Sequence, residues 1–369
     1  HRIKNPSLHA LPQGTGGRSS FNGIVATVFG SSGFLGRYVC NRLGKIGTQL
    51  VLPYRGDAGE MLRLKLVGDL GQVLFQPYSI RDDDSIRKAI SYSNVVINLV
   101  GREWETKNFT FDDVHEHWPR KLAKMCREQG IEKLIHVSAL NASEFPEEYM
   151  IKGGSRFLSS KWKGEMALKE EFPDAIIFKP SDIYGQEDRF LRYFCGLGRH
   201  QGKWMPLYKK GEYTVKQPIY VSDVAAGIVA ACRDKFSKGV TYQAVGPKRY
   251  LLSELVDWFH RVMNKTDNWG YLRYDLRFDP FFQLRVTVSP YLTFGWPLGN
   301  LHWEKIEREA HSDVVVSSIP TLEDLGIELT HMENQVPWEL KPNKAHTYYE
   351  RDLSEFEVAE PPRIFTPQG

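Results

Sequence analysis

The chain has 369 residues, enough to bury a substantial core and long for a single domain. Its 48 basic and 45 acidic residues leave a formal net charge of +3, and no compact basic and aromatic alternation appears, which argues against a nucleic-acid-binding surface. Cys40, Cys126, Cys195 and Cys232 are scattered without C-x-x-C spacing, and the eleven histidines include no H-E-x-x-H, so reduced buried thiols and no metal site are expected.

The first residue is His1 rather than methionine, consistent with removal of an N-terminal segment. Residues 1–20 carry Arg2, Lys4 and Arg18 with no acid, form neither a signal peptide nor an amphipathic targeting helix, and are expected to be an extended arm. The most informative stretch follows. Residues 26–36 read ATVFGSSGFLG, a short apolar strand, then Gly30, Gly33 and Gly36, then a helix-compatible run over 34–44. Gly30 suits the tight turn out of the strand, Gly33 a close approach to a diphosphate, and Gly36 close packing of helix on sheet. The loop they frame, with Ser31, Ser32, Phe34 and Leu35, would place the diphosphate on the open N–H groups of the helix. The G-x-x-G-x-x-G spacing differs by one residue from the common fingerprint, and a glycine-rich turn in another α/β protein has the same look. Another apolar strand over 49–54 supplies the expected context.

That second strand ends at Arg55, about twenty residues beyond the glycines, where a site preferring NAD(H) usually carries an acid. Arginine suits a 2′-phosphate instead, so NADPH or NADP⁺ is the expected cofactor; a solvated loop arginine is the bland alternative. Further strands are expected over 73–78, 95–100, 134–137 and 175–179, and helices over 83–91, 114–129 and 161–171. The alternation implies a doubly wound parallel sheet. Ser138 follows the strand LIHVS, at the strand end where such sheets place their sites, although several loop serines compete with it. Phe157 and Lys161 lie four apart on one helix face, and Lys161 is either a ribose ligand or a solvated helix lysine.

Beyond residue 185 the rhythm loosens. Helices are expected over 224–233 and 252–263 with a strand over 240–245, and PTLEDLG at 320–326 reads as a helical turn that Thr321 can cap. Residues 281–299 are aromatic-rich with a single charge, Arg285, and are broken by Pro290 and Pro297. A buried strand-and-turn region and an apolar interface both fit, and a transmembrane run does not. Residues 330–369 combine seven acids and five prolines with Trp338, Tyr348, Tyr349, Phe356 and Phe365, the composition of a disordered tail or of one laid over a partner. The expected organisation is an arm over 1–20, a dinucleotide-binding Rossmann domain over 21–245 with an insertion near 190–216, a smaller mixed domain over 246–329, and an extended tail over 330–369.

The glycine motif, the Asn98–Arg102 run NLVGR, the HVS strand, the lysine helix and the KPSDIYG run at 179–185 together resemble the extended or atypical short-chain dehydrogenase/reductase family. The runs GRSSFNGIVATVFGSSGFLGRYV, RDDDSIRKAISYSNVVINLVGREWETKNF and QEDRFL narrow this to its branch of NADP(H)-binding accessory subunits of mitochondrial respiratory complex I. The resemblance runs from about residue 16 to the C-terminal region and weakens after 240. It implies a cofactor cradled by Gly30, Gly33 and Gly36, a 2′-phosphate on Arg55, and cofactor contacts at Leu99, Val100, Gly101, Pro180 and Ser181. The family's Ser–Tyr–Lys set falls on Ser138, position 157 and Lys161, and position 157 is Phe157, which has no proton to transfer. Tyr149 is the candidate substitute. The adenine-contacting acid of many relatives is replaced here by Ser79, with Asp82 three residues on. The resemblance further implies a non-catalytic subunit on the matrix side of the inner membrane, touching other subunits and phospholipid. The alternatives are a soluble NADP(H)-dependent reductase or epimerase, and an NADPH-sensing regulatory subunit.

Overall fold

The computed structural model describes residues 12–196, 198–292, 301–346 and 358–366. Seven strands form one parallel sheet. β1 (Val25–Phe29) leads through the glycine turn to α1 (Phe34–Lys45), β2 (Gln49–Tyr54) and, after a 3₁₀ stretch, β3 (Val73–Pro77); α2 (Asp83–Ile90) leads on to β4 (Val95–Asn98). A π turn (Asp113–His117) runs into α3 (Trp118–Glu128), followed by β5 (Lys133–Val137), α4 (Arg156–Glu171) and β6 (Ile176–Pro180). The spatial order is β3-β2-β1-β4-β5-β6 with a later strand beyond β6. β1 pairs with β2 on one side and β4 on the other, Thr27 lying opposite Val51 and Val96, so the topology reverses at β1/β4 and opens a crevice at the strand ends.

The inner strands are buried on both faces, which is why they read as continuous apolar runs. One face packs Val39, Cys40 and Leu43 of α1 with Val224 and Ile228, and the other packs Ile86, Trp118, Leu122 and Leu168. All four cysteines are buried and unpaired.

The chain then supplies β7 (Ile183–Tyr184), α5 (Leu191–Cys195), β8 (Trp204–Leu207), β9 (Val215–Lys216), β10 (Ile219–Tyr220), α6 (Val221–Arg233) and β11 (Thr241–Ala244), which is the seventh sheet strand. β12 (Tyr250–Leu251), α7 (Leu252–Val262), β13 (Leu272–Asp275), α8 (Pro280–Leu292), α9 (Trp303–Ala310) and α10 (Met332–Glu339) complete it. A second core joins Tyr184, Phe190, Phe194, Met205, Trp258 and Phe259 to Met332, Val336 and Leu340. Part of the expected tail therefore packs inward, and near its end the Phe365 N–H donates to the Arg249 carbonyl at 2.7 Å. Tyr348, Tyr349 and Phe356 lie outside the described residues.

Two local expectations change. Residues 280–292 are helical rather than strand and turn: Asp279 Oδ1 accepts the N–H groups of Phe281 and Phe282 at 3.0 Å, and Pro280 opens the helix. Phe282 and Val286, four apart, bury one face of it. Thr321 does not cap its turn; instead its N–H donates to Asp324 at 2.7 Å. Among the described residues no helix is long and apolar enough to cross a membrane.

Candidate functional site

The glycine turn shows why Gly30 and Gly36 are required. Gly30 has φ +82°, and a Cβ there would lie 3.0–3.2 Å from the backbone of Leu99 and Val100. At Gly36 a Cβ would lie 2.3 Å from the Gly30 carbonyl oxygen, so only a bare Cα lets α1 sit on the turn. Gly33 is the N-cap of α1 and brings no side-chain hydrogen bond; no acid occupies the first turn. That leaves N–H groups and the positive end of the helix open at the crevice. Ser31 beside them is 1% exposed, and its Oγ has no hydrogen-bond partner among the described residues.

Opposite the turn, Asn98 closes β4 with both its side-chain oxygen and its nitrogen engaged. Oδ1 accepts from Trp118 Nε1 at 3.0 Å and from the Val100 N–H at 3.2 Å, and Nδ2 donates to His136 Nδ1 at 3.0 Å. This aims the Leu99–Gly101 segment at the crevice. His115 projects from the π turn, which approaches α4 so closely that a Cβ on Gly164 would lie 1.8 Å from the His115 carbonyl oxygen. Its Nε2 accepts the Arg102 N–H at 3.2 Å, so Nδ1 carries the proton and donates to Ser160 Oγ at 2.8 Å. Burial, then neighbouring Lys161, holds the ring neutral, well below the usual histidine pKa.

A cavity of about 320 Å³ opens between the turn and these groups. Among the expected site residues, Gly30, Gly33, Phe34, Leu35, Gly36, Leu99, Gly101, Ser138, Lys161, Pro180 and Ser181 line it. Ser31, Ser32, Val100, Arg55, Ser79 and Asp82 do not. Asp82 caps α2, accepting the Asp84 N–H at 3.2 Å, and Ser79 accepts the Arg81 N–H at 3.3 Å, so both serve the turn they occupy.

The set at Ser138, Phe157 and Lys161 is brought together, with each member engaged in a particular way. The Ser138 hydroxyl donates to buried Glu165, whose other oxygen takes Lys179 Nζ at 3.3 Å. Lys161 Nζ donates to the Val137 carbonyl at 3.1 Å and sits against Gly101, where a Cβ would lie 3.3 Å from it. Burial is the main cause that pulls its pKa down to about 8, and Arg308 adds to the shift. Phe157 is 8% exposed, and the Arg308 guanidinium carbon lies 4.1 Å from its ring centroid. Glu304 of α9 accepts the Phe157 N–H at 3.0 Å and the hydroxyl of Ser155, the N-cap of α4. Tyr149 does not reach the cavity. Its hydroxyl donates to Glu147 at 2.5 Å, and burial pushes its pKa up.

Sequence reasoning missed Lys216, Lys305, Arg308 and Asp313, which line the cavity from β9, α9 and the segment after it. No motif announces them, because they are brought in from more than fifty residues beyond Lys161. Six cationic side chains line the cavity against three carboxylates, an excess that suits an anionic occupant.

Residues 26–244 match the family model described as NAD dependent epimerase/dehydratase family. The chain belongs to that family. It is 43% identical over 362 residues to NADH dehydrogenase (ubiquinone) 1 alpha subcomplex subunit 9, mitochondrial, of Mus musculus, covering 95% of this chain and 88% of that protein. It is 31% identical over 335 residues to the NADH-ubiquinone oxidoreductase 40 kDa subunit, mitochondrial, of Neurospora crassa, covering 91% and 84%. In fold it is similar to the Citrobacter triphenylmethane reductase complexed with NADP(H), with a TM-score of 0.62 and 12% identity over 86% of this chain and all of that one.

Proposed function

We propose that this chain is an accessory, non-catalytic subunit of mitochondrial respiratory complex I that holds NADP(H) as a structural element. The mitochondrial complex I subunits of mouse and Neurospora match it over nearly its whole length, which supports the placement. The observation that carries the non-catalytic part is the state of the three-residue set. Phe157 has no hydroxyl, Arg308 covers its ring, and the Ser138 hydroxyl is held by Glu165. Proton transfer to a substrate oxygen needs a titrating group within reach, and of this set only Lys161 remains.

The residues fit a dinucleotide. The open N-terminus of α1 with Gly30, Gly33 and Gly36 would hold the diphosphate, the unpartnered Ser31 hydroxyl offers one more contact, and Arg55 would take a 2′-phosphate. Leu99, Gly101, Lys161, Pro180 and Ser181 would flank the nicotinamide end. When bound, the cofactor supplies hydride chemistry, and this chain's residues orient it without a phenolic hydroxyl at position 157 to pass a proton. A ligand that binds only the folded state stabilises it by mass action, which is the role assigned here. The chain would sit peripherally on the matrix side of the inner membrane, near the junction of the hydrophilic and membrane arms. The exposed Phe278, Phe281 and Leu284 at α8 would face neighbouring subunits, with phospholipid at the junction.

The test is to purify the native protein without added nucleotide, denature it and identify what is released, after incubating a second sample with labelled NADP⁺. Near-stoichiometric NADP(H) that does not exchange supports the structural cofactor. Rapid exchange with turnover of a carbonyl substrate refutes it in favour of a reductase or epimerase. An empty protein removes the cofactor altogether.

A further inference from the structure

Two arginines from different parts of the sheet edge meet on one aromatic ring. Phe109 closes a tight turn in the loop after β4, where the Thr106 N–H donates to the Phe109 carbonyl at 3.0 Å and the Phe109 N–H returns to Thr106 at 3.3 Å. The guanidinium carbon of Arg55, just after β2, lies 5.8 Å from the Phe109 ring centroid, and that of Arg81, after β3, lies 4.8 Å from it. Arg81 Nη2 also donates to the Asn108 carbonyl at 2.9 Å, which fixes the side chain while leaving most of its donor edge open.

Neither arginine makes an ion pair with a carboxylate among the described residues. The nearby acids are engaged elsewhere: Asp82 caps α2, Asp83 pairs with Lys121, and Glu105 receives a two-pronged contact from Arg156 at 3.0 and 3.1 Å. The same positive field reaches the cavity mouth. Burial pulls the Arg102 pKa down, and Arg55 and Arg189 pull it further. Like charges that no carboxylate pairs directly repel, and a dianion held by both removes the repulsion. Two planar guanidiniums gathered at one ring offer forked donors that suit the three terminal oxygens of a phosphate monoester.

We propose that Arg81, seated with Arg55 on Phe109, is the second arm of a site for the adenosine 2′-phosphate and makes the bound dinucleotide NADP(H) rather than NAD(H). The inference rests on the dinucleotide-binding reading above and adds a residue to it. Ser79 and Asp82, by contrast, shape the turn that delivers Arg81.

The experiment uses the full chain stripped of nucleotide, and measures binding of NADP⁺, NAD⁺, 2′,5′-ADP and 5′-AMP by calorimetry. Arg81→Gln is expected to weaken NADP⁺ and 2′,5′-ADP by about tenfold or more, as for loss of a charge-assisted contact, with NAD⁺ and 5′-AMP within about twofold of the parent. Arg81→Lys, which keeps the charge but not the fork, should fall between. Arg55→Gln combined with Arg81→Gln should lose less than the product of the single effects if both arms hold one phosphate. Equal loss for all four ligands would overturn the proposal by making Arg81 a turn residue. Unchanged NADP⁺ binding would overturn it outright while leaving the glycine-loop site standing. A parent protein that binds none of the four refutes the dinucleotide reading itself, and this inference with it.

Discussion

Replacing Gly36 by alanine should separate what the glycine turn does for the fold from what it does for a ligand. The new Cβ would lie 2.3 Å from the Gly30 carbonyl oxygen and 2.8 Å from Ser31 Cα and O, all backbone atoms that cannot swing aside. α1 must move off the turn. Overpacking of this kind costs about 1–3 kcal/mol. Three backbone clashes put it at the upper end of that range, and alanine recovers up to about 1 kcal/mol of helix preference, so a net loss of about 2 kcal/mol is expected. Gly33 differs. Its backbone is extended, with φ −70° and ψ 170°, and a Cβ there would meet only the Gly30 oxygen at 3.2 Å. Gly33→Ala should therefore leave stability within about 0.5 kcal/mol while lowering nucleotide retention, since Gly33 faces the cavity. Urea unfolding of the nucleotide-free variants, read as midpoint shifts at constant slope, gives the stability arm. Nucleotide released on denaturation gives the other. Equal destabilisation by the two substitutions, or none by Gly36→Ala, would refute the assignment of Gly36 to packing and Gly33 to ligand approach.

Phe157→Tyr should fold and retain nucleotide without gaining NADPH oxidation on small carbonyls, because Arg308 still covers the ring and Ser138 still donates to Glu165; turnover above the parent would show that one hydroxyl was all the site lacked. The depressed pKa of Lys161, about 8 against an ordinary 10.5, means that the unfolded chain binds more protons between those values. Stability should then rise with pH across that window, recovering up to about 3 kcal/mol. The measurement is the unfolding free energy of the parent minus that of Lys161→Met, and a difference that stays flat from pH 8 to 10.5 would contradict it. Nucleotide binding next to Lys161 should take up protons in the same window, so retention should weaken as pH rises through it; titration in buffers of different ionisation enthalpy would reveal the uptake. Glu307 accepts the N–H groups of Tyr149, Met150 and Ile151 at 2.7, 2.6 and 2.9 Å. Glu307→Ala should cost about 1–3 kcal/mol, with faster hydrogen exchange at those three amides, and unchanged protection there would argue against it.

Much of the first half of this molecule was written in local pattern. Strands buried on both faces must be apolar throughout, and a turn that passes within contact of another strand's backbone must be glycine. The parallel sheet and the roles of Gly30 and Gly36 therefore follow from residue types at short spacing. That position 157 is a phenylalanine, with no hydroxyl, is likewise visible in the chain itself. α8 was legible in principle from Asp279 and Pro280, a helix-start pair, but Val286, Val288 and Pro290 in the same run favour strand and turn. The burial of Phe282 and Val286 on one face decides for helix. Tertiary structure alone decided the rest. Ser138 meets Glu165 across a strand and a helix, Phe157 lies under Arg308 from α9, and Arg81 joins Arg55 on Phe109. Each of these depends on side chains far apart in sequence converging in one place. A local pattern records which backbone conformation a segment prefers, whereas the partner of a charge or hydroxyl is set by which elements the packed core brings alongside it.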